Sequence, residues 1–263
     1  MARTLAPIRP SAAIEARYEA RCVALLDKMQ ASIVETMSAA YEVPAPEVTL
    51  YALDKSPTQI IQAAMNRLAK QWLKRFDTLA DNLAAWFAQA VQDRCDNTLK
   101  SQLRDAGFTV RFRMTPAMRA AAESTVNENV SLIRSIGEQH LGQVEQLVMR
   151  SISEGRDLGY LTEQLTKRYG ITRRRAANIA RGQNNAATTA MRRVRELELG
   201  LEEGEWLHSG GGKEPRPPHV AFSRKRFKLA EGHDFKDGNG KVMPGQLPGC
   251  RCTWGAVIPG FDD

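Results

Sequence analysis

Residues 247–255 read LPGCRCTWG, with Cys250 and Cys252 one residue apart directly after a Pro-Gly pair. In an extended backbone, residues two apart face the same side, so the two sulfurs are placed to act together. Paired thiolates suit a soft metal such as zinc, and histidine is their usual companion. His208, His219 and His233 fall in the same C-terminal stretch, whereas His140 alone lies in the rest of the chain. His219, Cys250, Cys252 and His208 therefore form a candidate structural zinc site, a staple for a loop-rich module short of apolar mass. Zinc-binding cysteine pairs are usually spaced further apart. Packing and hydrogen bonding without metal is the competing reading.

Other residues bear on catalysis. His219 has the chemistry of a general base, with Asp234, Asp237 or Glu214 available to orient it. No spacing fixes that arrangement, and neither a GxSxG nor an HExxH motif occurs. GGGK at 210–213 is a glycine run that does not follow a strand into a helix, and it reads as a loop. No catalytic residue is assigned, and a non-enzymatic protein is expected.

A basic cluster is the third feature. Lys167, Arg168, Arg173, Arg174, Arg175, Arg181, Arg192, Arg193 and Arg195 occur within 167–195 with no acidic residue among them. Such a stripe would concentrate at phosphates. We take Arg173, Arg174, Arg175, Arg181, Arg192 and Arg193 as candidate contacts to nucleic acid or an acidic partner. The competing readings are a solvated helix face and internal pairing. Residues 161–183 also have a helix–glycine–helix outline, as a DNA-reading helix-turn-helix does. Gln183, Asn184 and Asn185 carry groups able to read bases, but they lie beyond the first turns of the second helix.

The elements that must position these residues are mostly helical. Ile14, Tyr18, Cys22, Leu25, Met29, Ile33 and Met37 recur at helical steps over 11–42, with Ser11 as N-cap. Residues 43–57 read as a connector, extended along 47–53. A helix starts near Ser56-Pro57 and another covers about 78–105, either separate or continuous, ended by Gly107. FTVRFRM (108–114) alternates as a short strand or extended linker would. Pro116 opens a helix to 154, with Gly137 and Gly142 as weak points. A short helix ends at Gly170, and a last long one runs over 171–200 with Thr172 as N-cap. After Gly200 the periodicity stops. Strands are expected at 202–210 and 251–258, with loops and a DGNG turn between.

The 263 residues suffice for one large domain or two modest ones, and an apolar share of 43% supports a real core. Aromatics at 6% favour Ala, Leu, Ile and Val packing between helices. The net charge of +7 is smaller than the local excess at 167–195, so clustering matters more than the total. No apolar window is long enough to span a membrane. The N-terminus lacks a secretory core, and Glu15 and Glu19 argue against a transit peptide. Cytoplasmic assembly is expected, with Cys22 and Cys95 as reduced, buried thiols and no disulfide framework. The fold class is mainly α, a multi-helix body with a small irregular α+β C-terminal module.

The order of these features resembles the phage Mu F-like minor head proteins of the phage head morphogenesis family. The resemblance is carried by Arg175, Ala176, Ile179, Ala180 and Arg181 on the helix, then Trp206, Arg216, Pro217, His219 and Phe227. Gly249, Cys250, Arg251 and Cys252 close it. It covers about 130–258, and the PGCRC ending with the upstream histidine is its most specific part. Gly182-Gln183 stands where the family often has Thr-Glu, and SRKRF after His219 lacks the usual Asp-Gly. The resemblance divides the chain into an N-terminal helical region (1–115), the helical part of the Mu F-like domain (116–200) and a Gly/Pro-rich, β-containing module (201–263).

It implies a minor component of the virion head, assembled in the host cytoplasm and associating with the portal protein at the portal vertex during procapsid assembly. Capsid or scaffolding proteins and packaged DNA are further expected partners, and no membrane is. The alternative is a DNA-binding protein or metal-dependent nuclease of genome packaging. Relatives fused to toxin domains exist, and none is expected after residue 258.

Overall fold

The computed structural model describes residues 4–42, 57–155, 157–211 and 214–260. The connector expected at 43–57 lies outside these residues apart from Pro57, and so do Gly212 and Lys213 of the glycine run. The order is α1 (Ala12–Glu42), α2 (Pro57–Asp105), α3 (Pro116–Ser153), α4 (Leu158–Glu198), β1 (Glu203–Leu207), α5 (Pro217–Ala221), β2 (Arg226–Lys228), β3 (His233–Asp234), β4 (Lys241–Val242) and β5 (Thr253–Ala256). The chain is mainly helical with a small α+β module after residue 200, as the composition and periodicity predict. Among the described residues, no helix is long and apolar enough to cross a membrane. The chain forms two compact units: Met1–Arg17, Ala84–Glu128 and Asn178–Asp263 make one, and Tyr18–Leu83 with Asn129–Ala177 make the other.

Local chemistry sets the helix ends. The Ile14 N–H donates to Ser11 Oγ at 3.4 Å, and the Met118 N–H to Thr115 Oγ1 at 3.1 Å. Each hydroxyl satisfies one of the donors that a first turn leaves free. Gly107, at φ +93, ends α2, where the Phe108 N–H reaches back to the Leu103 carbonyl at 2.8 Å. The predicted α1 stripe is buried at Tyr18, Cys22, Met29, Ile33 and Met37; Ile14 and Leu25 are half-buried, and Leu26 is buried beside Leu25. Burial pushes the Cys22 and Cys95 thiols up to about 12, as expected of reduced core cysteines.

Two readings left open are resolved, and one expectation changes. Residues 57–105 form one continuous helix. FTVRFRM is a linker and not a strand, and its Val110 and Phe112 pack against the core that holds the C-terminal module. Gly170 does not end a helix, because α4 runs through it from Leu158 to Glu198. A mid-helix glycine costs only about 1 kcal/mol. The buried positions Leu161, Leu165, Thr172, Ala176, Ala180, Ala187 and Met191 stay in helical phase on both sides of it. Thr172 is therefore a buried helix-interior residue and not an N-cap, and the helix-turn-helix outline falls with it.

In the unit containing Asn129–Ala177, Gly137 is required rather than weak. A Cβ there would meet the Phe76 ring at 2.6 Å. Nearby, fully buried His140 places Nδ1 2.9 Å from Thr172 Oγ1 and Nε2 3.3 Å from Gln30 Oε1. The Thr172 hydroxyl also donates to the Arg168 carbonyl at 3.2 Å, and the neutral ring brings one donor and one acceptor to its two partners. Burial first, and then the Arg168 charge, lower His140 from 6.5 to about 4.

This depression has a signed consequence. Between pH 6.5 and 4 the unfolded chain binds a proton that the folded one refuses, so stability is full above 6.5 and falls as the pH drops through that window. The loss is on the order of 3 kcal/mol. Urea midpoints measured against pH should fall for the wild type and flatten in this window for His140→Gln. Parallel profiles would remove His140 from the account.

Candidate functional site

β1 lies between β2 and β5 in an antiparallel sheet, with Trp206 opposite Trp254 and Gly204 opposite Phe227 and Ala256. β3 and β4 form a separate pair. The N-terminal arm extends the β5 edge: the Leu5 N–H donates to the Ala256 carbonyl at 2.8 Å, and Thr4 bridges to Val257. Trp206, Phe227, Leu229, Met243 and Trp254 share one core with Leu5 and Ile8 of the arm and Leu99 and Leu103 of α2. The module does not rest on its own apolar mass alone: it borrows from residues about a hundred or more positions earlier.

Short α5 presents His219. Arg216 precedes it in extended backbone, and Pro217 and Pro218 occupy the first turn, where a missing N–H costs nothing. The His219 ring is 1% exposed, stacks on Phe235 at 4.4 Å between centroids, and meets Trp206 edge-on at 5.2 Å. These rings aim Nδ1 at both sulfurs, with Cys250 Sγ at 3.6 Å and Cys252 Sγ at 3.7 Å. Nε2 is buried without a hydrogen-bond partner.

The cysteines precede β5 and are held by backbone contacts. Asn185 Nδ2 donates to the Cys250 carbonyl and Arg216 Nη2 to the Pro248 carbonyl, each at 2.9 Å. Gly245, at φ +82, lets the chain pass under them, because a Cβ there would lie 2.9 Å from Thr189 Oγ1 and 3.2 Å from the Cys252 carbonyl. A hydrogen bond from Cys252 pulls Cys250 down to about 5 against its burial, helped by the Cys252 and Gly245 N–H groups and by His219. The same hydrogen bond, followed by burial, pushes Cys252 up.

The geometry can be compared with a tetrahedral zinc centre. Bonds of about 2.3 Å to sulfur and about 2.0 Å to nitrogen place those donors about 3.5–3.6 Å apart. The observed S···N distances agree, and the three donor atoms lie within 4.8 Å of one another. A cavity of about 40 Å³ adjoins them, lined also by His208 and Glu214. That volume admits about one water-sized ligand. His208 is the one predicted ligand outside the cluster; its Nδ1 accepts from the Gly210 N–H at 3.1 Å.

The other candidates separate clearly. Asp234 accepts from Lys236 through both its N–H and its ammonium, and Asp237 accepts from the Asn239 N–H. Neither is hydrogen-bonded to His219. Arg192 is not a surface contact: it is 1% exposed and its Nε donates to Glu196 at 2.6 Å. Arg193 is not free either, since its guanidinium donates to the Leu229 and Ala230 carbonyls. Arg175 donates to Ser135 Oγ at 2.8 Å, and Arg181 pairs with Glu15 at 3.3 Å. Arg173 and Arg174 remain exposed. Gln183, Asn184 and Asn185 bind Glu128, the Ser11 carbonyl and the Cys250 carbonyl, so none is set to read bases.

Sequence reasoning missed the partners. Glu196 accepts from Arg192 and from Trp254 Nε1, both at 2.6 Å. Burial raises its pKa, while the Arg192 charge and both hydrogen bonds oppose the rise. Arg195 forms a two-pronged pair with Asp96 at 2.8 and 3.0 Å. Glu196 directly follows the acid-free window, and Asp96 lies on another helix. Only the helical i,i+4 spacing of Arg192 and Glu196 could have signalled either pair.

The chain is 24% identical to a protein of Haemophilus influenzae strain Rd described as uncharacterized, over its whole length and 56% of that relative. The chain thus spans about half the length of that relative. No solved structure matches it. The family model described as Phage Mu protein F like protein matches residues 142–254, which contain His219, Cys250 and Cys252, so the expected resemblance holds over that stretch and points to phage head morphogenesis.

Proposed function

We propose that the protein is a minor head protein that joins the portal vertex during procapsid assembly and acts without catalysis. The family match over 142–254 carries this reading, because it contains the whole His219–Cys250–Cys252 site. The site's chemistry supports it. His219 Nδ1 is engaged by two buried sulfurs, which suits holding the module's shape better than accepting a substrate proton. Exposed Arg173 and Arg174 favour an accessory contact with packaged DNA. Tagged protein should co-purify with portal oligomers and appear at low copy in procapsids and virions. Absence from both particles would defeat the assembly reading, and metal-stimulated DNA cleavage lost in His219→Ala would replace it with a nuclease.

The same reading includes a structural soft cation at His219, Cys250 and Cys252, supported by the S···N distances of 3.6 and 3.7 Å. Its fourth ligand would sit in the adjoining cavity. Elemental analysis of the purified full chain should find about one zinc per molecule, and the Cys250→Ser/Cys252→Ser variant should lack it. A strong chelator should lower the melting temperature of the wild type alone. Metal-free protein whose melting is indifferent to chelator would leave packing as the site's only role.

A further inference from the structure

A cavity of about 480 Å³ lies within the unit that holds the C-terminal module, between the N-terminal arm, α4 and the segment around Arg251. That volume is typical of a small-molecule site. Its lining is unbalanced in charge, with Arg9, Arg181, Arg192 and Arg251 set against the single carboxylate of Glu15. Two of these charges are answered within the protein, Arg181 by Glu15 and Arg192 by Glu196. Arg9 and Arg251 are exposed and have no hydrogen-bonded or ion-paired partner among the described residues.

Arg192 is committed within the protein: it is 1% exposed, its Nε and Nη1 donate to Glu196 and to Thr253 Oγ1, and its guanidinium lies 4.1 Å over the Trp254 ring. The unanswered charges at the cavity are therefore those of Arg9 and Arg251. Guanidinium groups reach the cavity from three separate segments: the arm, the helix and the Cys250–Cys252 turn. A carboxylate offers two oxygens in one plane, whereas a phosphate offers oxygens in several directions and suits donors that converge from different sides.

We propose that this cavity binds a small phosphate-bearing molecule, with Arg9 and Arg251 gripping the phosphate. The proposal does not depend on the assembly role. Pyrophosphate titrated calorimetrically into the full chain at low salt should bind saturably at one site. Arg9→Ala and Arg251→Ala, both changes at exposed positions, should each weaken binding roughly tenfold or more, and Arg251→Lys should weaken it less. Citrate should bind more weakly than pyrophosphate to the wild type. The proposal is overturned by an absence of saturable binding, by undiminished binding in both alanine variants, or by citrate binding as tightly as pyrophosphate.

Discussion

The buried pair of Arg192 and Glu196 is the interaction on which the C-terminal half of the structure depends. Both side chains are at most 1% exposed, one helical turn apart on α4. Arg192 also donates to the Thr253 hydroxyl and reaches the Ile8 carbonyl, while Glu196 takes the Trp254 indole N–H. One ion pair thus joins the helix to the N-terminal arm and to β5. Two charges removed from water are tolerated only when their remaining hydrogen-bonding capacity is largely met. That requirement fixes where the arm and β5 can lie.

The histidine–cysteine site follows from this placement. β5 is set against α4, so the chain entering it carries Cys250 and Cys252 past Asn185 and Thr189, which hold the Cys250 and Pro244 carbonyls. The aromatic cluster around Trp206 then presses His219 toward the sulfurs from the other side. Its buried position and its short S···N distances are consequences of packing that already exists. The cation we propose would add to a core that includes Leu5, Ile8, Leu99 and Leu103 and would not replace it.

The sequence made the helical body legible because its apolar residues keep a helical period, and it made the site legible because CxC after Pro-Gly and a nearby histidine are few and distinctive. It misled where a local signal competed with a longer one. Gly170 reads as a stop, but the stripe from Leu161 to Met191 keeps its phase across it. FTVRFRM left strand and linker open; with no strand beside it among the described residues it is a linker, and Arg195 lies 4.8 Å over the Phe112 ring. The arginine run reads as a polyanion surface because Asp96 and Glu15 are distant in sequence and Glu196 falls just past the acid-free window. Charge counted along the chain cannot show which arginines turn inward.

The most direct measurement is chemical denaturation of the full chain with the buried pair broken on one side and then replaced on both. Glu196→Ala alone should cost about 3–5 kcal/mol by stranding the Arg192 charge, and Arg192→Met/Glu196→Leu should recover most of that loss. A cost for Glu196→Ala of less than about 1 kcal/mol, the range of an exposed pair, would contradict the account.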